Sequence, residues 1–450
     1  MDPAGSLRHP GLTKNTHRPE YMSFLTRTVV LFAVFTTPLF AADVDGLILT
    51  WRKDPSTTMV IDWHRNGPDA PAKETLYYRP TGNADASWRE VDSESARDFP
   101  YLDRKIYRVE LSGLTPDSRY ESRIGDGPVR QFATLPDRLK RPLRFVVGGD
   151  LMHGGDEFAR MNRTAAGFDP AFVVWGGDLA YENGKPEEAK RMARFLEIMR
   201  DSLVASDGRV IPVLPGIGNH EVRGYFYYGQ DRGRENWPGT DAAREKIAPY
   251  FYALWAFPGH PGYAALDLGN YASILMLDTD HTGPIEGTQT EWLADALKKR
   301  ADVPHVMPVY HVPAYPSTRP FDSETSRSVR KHWTPLFDDH GIRVAFENHD
   351  HAYKRTHPLR GGEPNPEGVT YVGDGAWGVK PRAPDPSRPY LVKTSKNNHA
   401  VFVEMHPDRL DMRTLSSTGE VIDEFSVPAR KVSPSSEAQK SASQQAPAGS

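Results

Sequence analysis

The chain of 450 residues contains no cysteine. That absence excludes zinc–thiolate sites, iron–sulfur clusters, thiol nucleophiles, disulfide frameworks and a cysteine-linked lipid anchor. A surplus of either charge is also missing. Lys+Arg 55 against Asp+Glu 59 leaves a formal net charge of -4, so there is no basic footprint for nucleic acid. Long apolar runs are scarce. Only residues 28–42, TVVLFAVFTTPLFAA, form one, and they fall short of the ~20 residues a membrane-spanning helix needs. Hydrophobic residues as such are not short: 38% of the chain, with 10% aromatic, supplies cores for two or three domains of ~100–200 residues. With sulfur excluded, any metal site must use oxygen and nitrogen ligands, and 16 histidines are present.

The apolar run follows Arg18 and Arg27 and ends in Ala41 and Ala42. Basic flank, short apolar stretch and small residues are the features of a secretory signal peptide, so residues 1–42 are read as one and the chain is expected to be secreted or periplasmic. Met22 stands where such a peptide normally begins, which makes residues 1–21 an extended n-region or a mis-assigned start. Phe40 is a poor cleavage residue. The competing reading is a buried strand of the first domain. At the other end, residues 428–450, PARKVSPSSEAQKSASQQAPAGS, show no apolar period and read as a disordered tail.

Residues 43–137 hold seven short β-branched and aromatic runs: LILTW, TTMVIDW, ETLYY, SWREV, IYRVEL, RYESRI and VRQFAT. Count and spacing predict a β-sandwich. Met59, Ile61 and Trp63 alternate onto one face, as do Tyr107, Val109 and Leu111, the pattern of half-buried strands. The stretch LSGLTPDSRYESRIG resembles the end of a fibronectin type III module, where Leu114 and Tyr120 would pack a corner.

From residue 141 to 427 the pattern changes. LRFVVGGD, AFVVWGGD, VIPVLPGIGN, ASILMLDTD, HVMPVYH and IRVAFENHDH are continuous apolar runs that end in polar clusters, as strands covered on both faces do. Helices are predicted at 186–205, 289–300 and 326–340. This is an α/β domain, whose sites lie at the carboxyl ends of strands. The polar residues there form an ordered set: Asp150 in GGDLMH, Asp178 and Tyr181 in GGDLAY, Asn219, His220 and Glu221 in GNHE, His311 in PVYH, and His349 and His351 in NHDH. Singly each is ordinary turn chemistry. Five in order, every one at a predicted strand end, are not independent accidents.

A pair of metal ions ~3.5–4 Å apart needs a shared carboxylate and terminal oxygen and imidazole ligands on each side. Asp178 is the natural bridge, opposite Asp150. His349 and His351, two apart in an extended segment, can address different ions, while Asn219 adds an amide oxygen and His311 an imidazole. A tyrosine phenolate at Tyr181 favours a hard trivalent ion, iron(III).

These motifs resemble the dinuclear metallophosphoesterases, and the tyrosine in GDLAY makes the purple acid phosphatases the nearest match, over about residues 43–427. The resemblance implies two central β-sheets flanked by helices in an α/β/β/α order, behind an amino-terminal sandwich. It implies that Asp150, Asp178, Tyr181 and His351 hold iron(III), and that Asp178, Asn219, His311 and His349 hold zinc(II), manganese(II) or iron(II). It implies a catalytic, phosphate-contacting His220, which its neighbour Glu221 would position. The implied activity is an acid phosphatase cleaving phosphomonoesters by attack of a metal-bound hydroxide. The charges of the ions and their ligands would leave a small positive excess, which attracts an oxyanion. A phosphodiesterase or nucleotide-cleaving enzyme is the alternative, and a non-catalytic binding protein the third. Partners are expected to be small-molecule phosphate esters.

Three positions depart from the family pattern. Met152, followed by His153, replaces a glycine after the first aspartate. Asn348 replaces the glycine before His349, as a left-handed backbone there would tolerate. Most consequentially, no histidine follows His311 until His332, although plant members carry one nearby that protonates the leaving group. Asp322, Glu324 and His332 are the candidates to replace it, or water where the leaving group is already a good one. Residues 222–240 are expected to set specificity, with Arg223 and His153 as substrate contacts. Arg355 is read as structural.

Overall fold

A computed structural model describes residues 44–67, 69–82, 86–223 and 237–432. The apolar run at 28–42, most of the 222–240 segment and the chain beyond 432 lie outside the described residues. The amino-terminal domain is a sandwich of two antiparallel four-stranded sheets. One runs Asp45–Thr50, Met59–Asn66, Arg104–Leu111, Arg97–Asp98, and the other Arg89–Asp92, Thr75–Pro80, Arg119–Ile124, Arg130–Ala133. The seven expected runs are all strands. The eighth, Arg97–Asp98, is two residues long and has no apolar pattern to announce it. Tyr120 and Leu114 are buried, and the Thr115 N–H donates to the Tyr120 hydroxyl at 2.8 Å.

Met59–Asn66 is not half-buried as its alternation suggested. Ile61 and Trp63 pair with Val109 and Tyr107 in the sandwich core, but Asp62 and His64 on the opposite face are buried as well. That face is covered by the second domain. Arg108 holds Asp62 through two bonds of 2.6 and 2.9 Å and reaches the Leu254 carbonyl at 3.4 Å, and Phe99 meets Tyr250 at 6.3 Å. Polar residues at alternate positions are here an interdomain layer, which sequence alternation alone reads as solvent.

His64 sits edge-on to Phe99, fully buried, with neither ring nitrogen hydrogen-bonded among the described residues. Burial, with Arg104, Arg97 and Arg108 nearby, lowers its pKa to about 3. The folded chain therefore keeps it neutral while the unfolded chain takes up a proton below ~6.5. As pH falls from 6.5 towards 3, His64 should remove up to ~1.4 kcal/mol of stability per pH unit. Denaturant unfolding of the protein and of His64→Leu at pH 7, 5.5 and 4.5 checks this. An identical pH slope in the two would clear His64 of the effect.

The second domain contains two mixed sheets. One orders its strands Val213–Pro215, Phe172–Trp175, Leu143–Gly148, His399–Met405, Arg409–Ser416, Val421–Pro428; the other Ala264–Leu268, Ala272–Met276, His305–Val309, Val344–Glu347, Thr370–Gly373, Tyr353–Thr356, Leu391–Ser395. Alternation divides each strand between two cores. Phe145, Val147 and Val174 face Ile274, Met307 and Phe346 of the other sheet. Val146, Val173 and Val213 face outward, under Phe158 and Met161 of helix Gly155–Gly167 and Phe195 and Leu196 of helix Ala189–Ser202. On the far side Leu275, Val306 and Ala345 pack beneath Leu293, Val329 and Phe337 of the helices over Thr290–Lys299, Glu324–His332 and Thr334–Asp339. The order is α/β/β/α. Every strand expected to carry a ligand is present and parallel to its ligand-bearing neighbour, so their carboxyl ends open on the same edge.

Helix Gly155–Gly167 was not foreseen, although Phe158, Met161 and Ala165 recur at helical spacing; glycines at both ends masked it. The expected helix at 326–340 is two, broken at Trp333. The ordered chain also runs past the expected start of the tail: Val421–Pro428 is a paired edge strand, and Arg430 donates to the carbonyls of Pro304 and Val303.

Candidate metal centre

The loops leaving five strands deliver the set of acceptors. Asp150 lies two residues past Leu143–Gly148 and Asp178 three past Phe172–Trp175; Asn219 follows Val213–Pro215, His311 follows His305–Val309, and His349 and His351 follow Val344–Glu347. All are buried. The donor atoms of Asp178, His311 and His349 lie within 4.8 Å of one another, as do those of Asp150, Asp178 and His351, so the Asp178 carboxylate belongs to both groups. Tyr181 stands with the second, its hydroxyl 3.1 Å from both Asp150 Oδ1 and His351 Nε2. Asn219 stands with the first, Oδ1 3.2 Å from His311 Nε2.

The polarity of these contacts tests whether a cation suits them. His311 Nδ1 points to the Gly176 carbonyl at 3.0 Å and so carries the ring proton. That leaves the Nε2 lone pair aimed at Asp178 Oδ2 (3.2 Å), Asn219 Oδ1 (3.2 Å) and His349 Nδ1 (3.0 Å). Three acceptors converge beside the His349 ring nitrogen, and Asn219 Nδ2 has no hydrogen-bond partner among the described residues. Such a set is at ease only around a cation. In the bare chain a proton does part of that work. Burial disfavours charge on His311, but Asp178 and Asp150 outweigh it and raise its pKa to about 9. Burial likewise opposes charge on Asp178, yet His311 and His220 hold its carboxyl well below the usual range. Burial, then Asp150 and Asp178, keep the Tyr181 phenol protonated far above its ordinary range.

Five of the seven candidate ligands have left-handed backbones: Asp150 (φ 58°), Asp178 (54°), Tyr181 (60°), His349 (77°) and His351 (59°). Asn348 does not, contrary to the expectation for a glycine replacement. Its side chain instead fills the space between two glycines: a Cβ on Gly176 would lie 1.8 Å from Asn348 Nδ2, and one on Gly149 2.5 Å from its Oδ1. The Asn348 amide also donates to the Tyr310 carbonyl at 2.9 Å, tying three ligand-bearing strands together.

His220 is half-exposed at the mouth, its ring 4.2 Å from that of Tyr181 and its N–H on Asp178 Oδ1 at 2.8 Å. The expectation that Glu221 positions its ring is not met. The Glu221 carboxylate accepts the backbone N–H groups of Gly218 (2.6 Å), Asp178 (2.8 Å) and Leu179 (2.7 Å), bracing two ligand loops. Burial and Asp178 push its pKa up, to about 8, against the pull of those donors. The ring is set by Asn183, whose Oδ1 is 2.5 Å from His220 Nδ1 while its Nδ2 donates to the Tyr181 carbonyl at 3.0 Å. Two further braces went unread in the sequence. Arg191, on the second helix, donates to the carbonyls of Met152 and Ala180 and so joins the first two loops. Asp350, between the two histidines of NHDH, accepts the N–H groups of Ser317 (2.7 Å) and Thr318 (2.6 Å), fastening the segment after His311 to the last loop. A carboxylate inside a ligand motif was the available signal.

His153 is exposed and lies against the cluster, 4.5 Å from the Tyr181 ring and 5.7 Å from that of His351. Arg223 is exposed, and its backbone N–H donates to the Ile247 carbonyl at 2.6 Å. Asp322 is 3.6 Å from Arg330, His332 4.0 Å from Glu286, and Glu324 opens its helix. Arg355 is held by Asp423 at 2.7 Å in a purely structural pair.

Fold and site together define a phosphoesterase with a clustered Asp/His metal site, and residues 143–353 match the calcineurin-like phosphoesterase family. Residues 44–134 match the purple acid phosphatase N-terminal domain. The chain is thus purple acid phosphatase-like, with that family's N-terminal domain followed by a calcineurin-like phosphoesterase domain. It is 25% identical over 352 residues to an uncharacterized protein of Mycobacterium tuberculosis, covering 71% of this chain and 64% of that one. It is 25% identical to purple acid phosphatase 21 of Arabidopsis thaliana, covering 63% and 61%, and 28% identical to acid phosphatase type 7 of Mus musculus, covering 69% and 70%. The chain thus spans under two-thirds of the length of the first two. Purple acid phosphatase PPD1 from yellow lupin superposes with a TM-score of 0.66 at 16% identity, over 84% of this chain and 73% of that one, a likeness of fold. Among the described residues no helix is long and apolar enough to cross a membrane.

Proposed function

We propose that the chain is an exported acid phosphatase acting on phosphomonoesters at a dinuclear centre. Asp150, Tyr181 and His351 would hold iron(III), and Asn219, His311 and His349 would hold zinc(II), manganese(II) or iron(II), with Asp178 between them. The observation that carries this is one carboxylate shared by two groups of buried ligands. Bound ions would supply Lewis acidity towards the phosphoryl oxygens and lower the pKa of a coordinated water. The rest falls to the chain. His220, held at Nδ1 by Asn183, presents Nε2 at the mouth and, as the imidazolium, donates from it to a phosphoryl oxygen. Glu221, Arg191 and Asp350 fix the ligand loops so that little reorganisation accompanies substrate binding. The apolar run at 28–42 supports export.

Metal analysis and a visible spectrum of the purified protein test the proposal. Two ions per chain are expected, with a tyrosinate–iron(III) band that Tyr181→Phe abolishes. A colourless protein with one ion or none would overturn it. Turnover of p-nitrophenyl phosphate above bis(p-nitrophenyl) phosphate is expected; the reverse would favour a phosphodiesterase.

A further inference from the structure

We infer that His153 contacts the leaving-group oxygen of the ester and donates a hydrogen bond to it from Nε2. This rests on the phosphatase reading of the same site. The missing piece of that site is a group to steady charge on the departing oxygen, since Asp322 faces Arg330, His332 faces Glu286, and Glu324 begins a helix.

His153 has the position and the polarity. It is exposed where the candidate ligands are buried, yet its ring lies 4.5 Å from Tyr181 and 5.7 Å from His351. Its place is fixed from two sides. Arg191 Nη2 donates to its carbonyl at 3.2 Å, and the Lys380 N–H donates to its Nδ1 at 3.4 Å. Because Nδ1 accepts, the ring proton of the neutral imidazole is on Nε2. His220, on the same phenol ring at 4.2 Å, has the other tautomer. Asn183 Nδ2 donates to the Tyr181 carbonyl, so Asn183 Oδ1 accepts from His220 Nδ1 and leaves Nε2 with the lone pair. Two imidazoles flank Tyr181, and the one that is a fixed donor in its neutral form is His153.

In hydrolysis a water oxygen bonds to phosphorus, the bond from phosphorus to the ester oxygen breaks, and its electron pair stays on the departing oxygen. The net change is ester plus water to alcohol plus phosphate. Nε2–H hydrogen-bonds the departing oxygen while charge builds there; the proton that completes the alcohol comes from solvent, and the ring ends as it began. A nitrophenolate spreads that charge over its ring, whereas an alkoxide concentrates it on oxygen, so the donor matters most for alkyl esters.

The test compares the metal-loaded protein with His153→Ala and His153→Gln on p-nitrophenyl phosphate and on glycerol 2-phosphate. The expected loss of kcat/KM for His153→Ala is roughly 10- to 100-fold on the alkyl ester and at least several-fold smaller on the aryl ester. His153→Gln, whose amide N–H reaches a similar point, should regain part of it, and metal content should stay at two ions in all three proteins. Equal losses on both esters, no loss on either, or loss of metal in His153→Ala would overturn the assignment. A wild-type protein that binds two ions and cleaves neither ester fails at the phosphatase reading itself, and the assignment falls with it.

Discussion

Asp178→Asn should lower phosphoester hydrolysis by a factor on the order of 1,000 or more and reduce bound metal below two ions per chain. Asp178 is the one side chain present in both groups of converging acceptors. It also accepts the His220 N–H at 2.8 Å and lies 3.2 Å from His311, so its loss disturbs every part of the centre. Asparagine is the informative replacement. It removes the charge while tolerating the left-handed backbone at φ 54°, and its Oδ1 can still accept from His220. Steady-state kinetics and metal analysis on the same preparation read the result. Turnover within tenfold of wild type would rule out the bridging position.

Gly375→Ala should be nearly as damaging, although residue 375 supplies no ligand. A Cβ there would lie 1.8 Å from Asp150 Oδ2 and 2.9 Å from the His349 nitrogen, with φ at 63°. Asp150 Oδ2 is also the atom that accepts the His349 N–H at 2.8 Å. The methyl group therefore wedges apart two candidate ligands of different ions, and it places alanine where alanine is strained. Left-handed strain and overpacking together suggest about 2–5 kcal/mol of lost stability, accompanied by loss of metal and activity. Gly361→Ala provides the control. It has φ 59° and nothing within 4 Å of the added Cβ, so it should cost ~1 kcal/mol and leave the metals in place. If Gly375→Ala behaves like Gly361→Ala in denaturation and metal content, the wedge does not operate.

What the sequence disclosed and what it withheld follow a physical line. The strands leading to Asp150, Asp178, His311 and His349 were legible because a sheet covered on both faces leaves continuous apolar runs, and their polar ends stood out against them. The ligand groups were legible because the order of motifs and the chemistry of a shared carboxylate constrain each other. Braces were not. Asn183, Arg191 and Asp350 act through backbone N–H and carbonyl groups of distant loops, and such partners leave no periodicity. Nor was Gly375 visible, since its importance is the distance to a side chain 225 positions earlier. The misreadings have the same origin. Alternation at Asp62 and His64 predicts solvent only when nothing covers the second face, and the substitution at Asn348 was judged by its backbone although its side chain does the packing.

The five left-handed ligand positions bear on any effort to move this centre elsewhere. Each corner costs roughly 1–2 kcal/mol that an ordinary strand end would not incur, and it is tolerated because neighbouring loops clamp it. Copying seven side chains onto the strand ends of another α/β scaffold would therefore reproduce the composition without the aim, since the relaxed backbone would turn the donors away from one another. A transplant has to carry the corners and their clamps first, and choose the ligands afterwards.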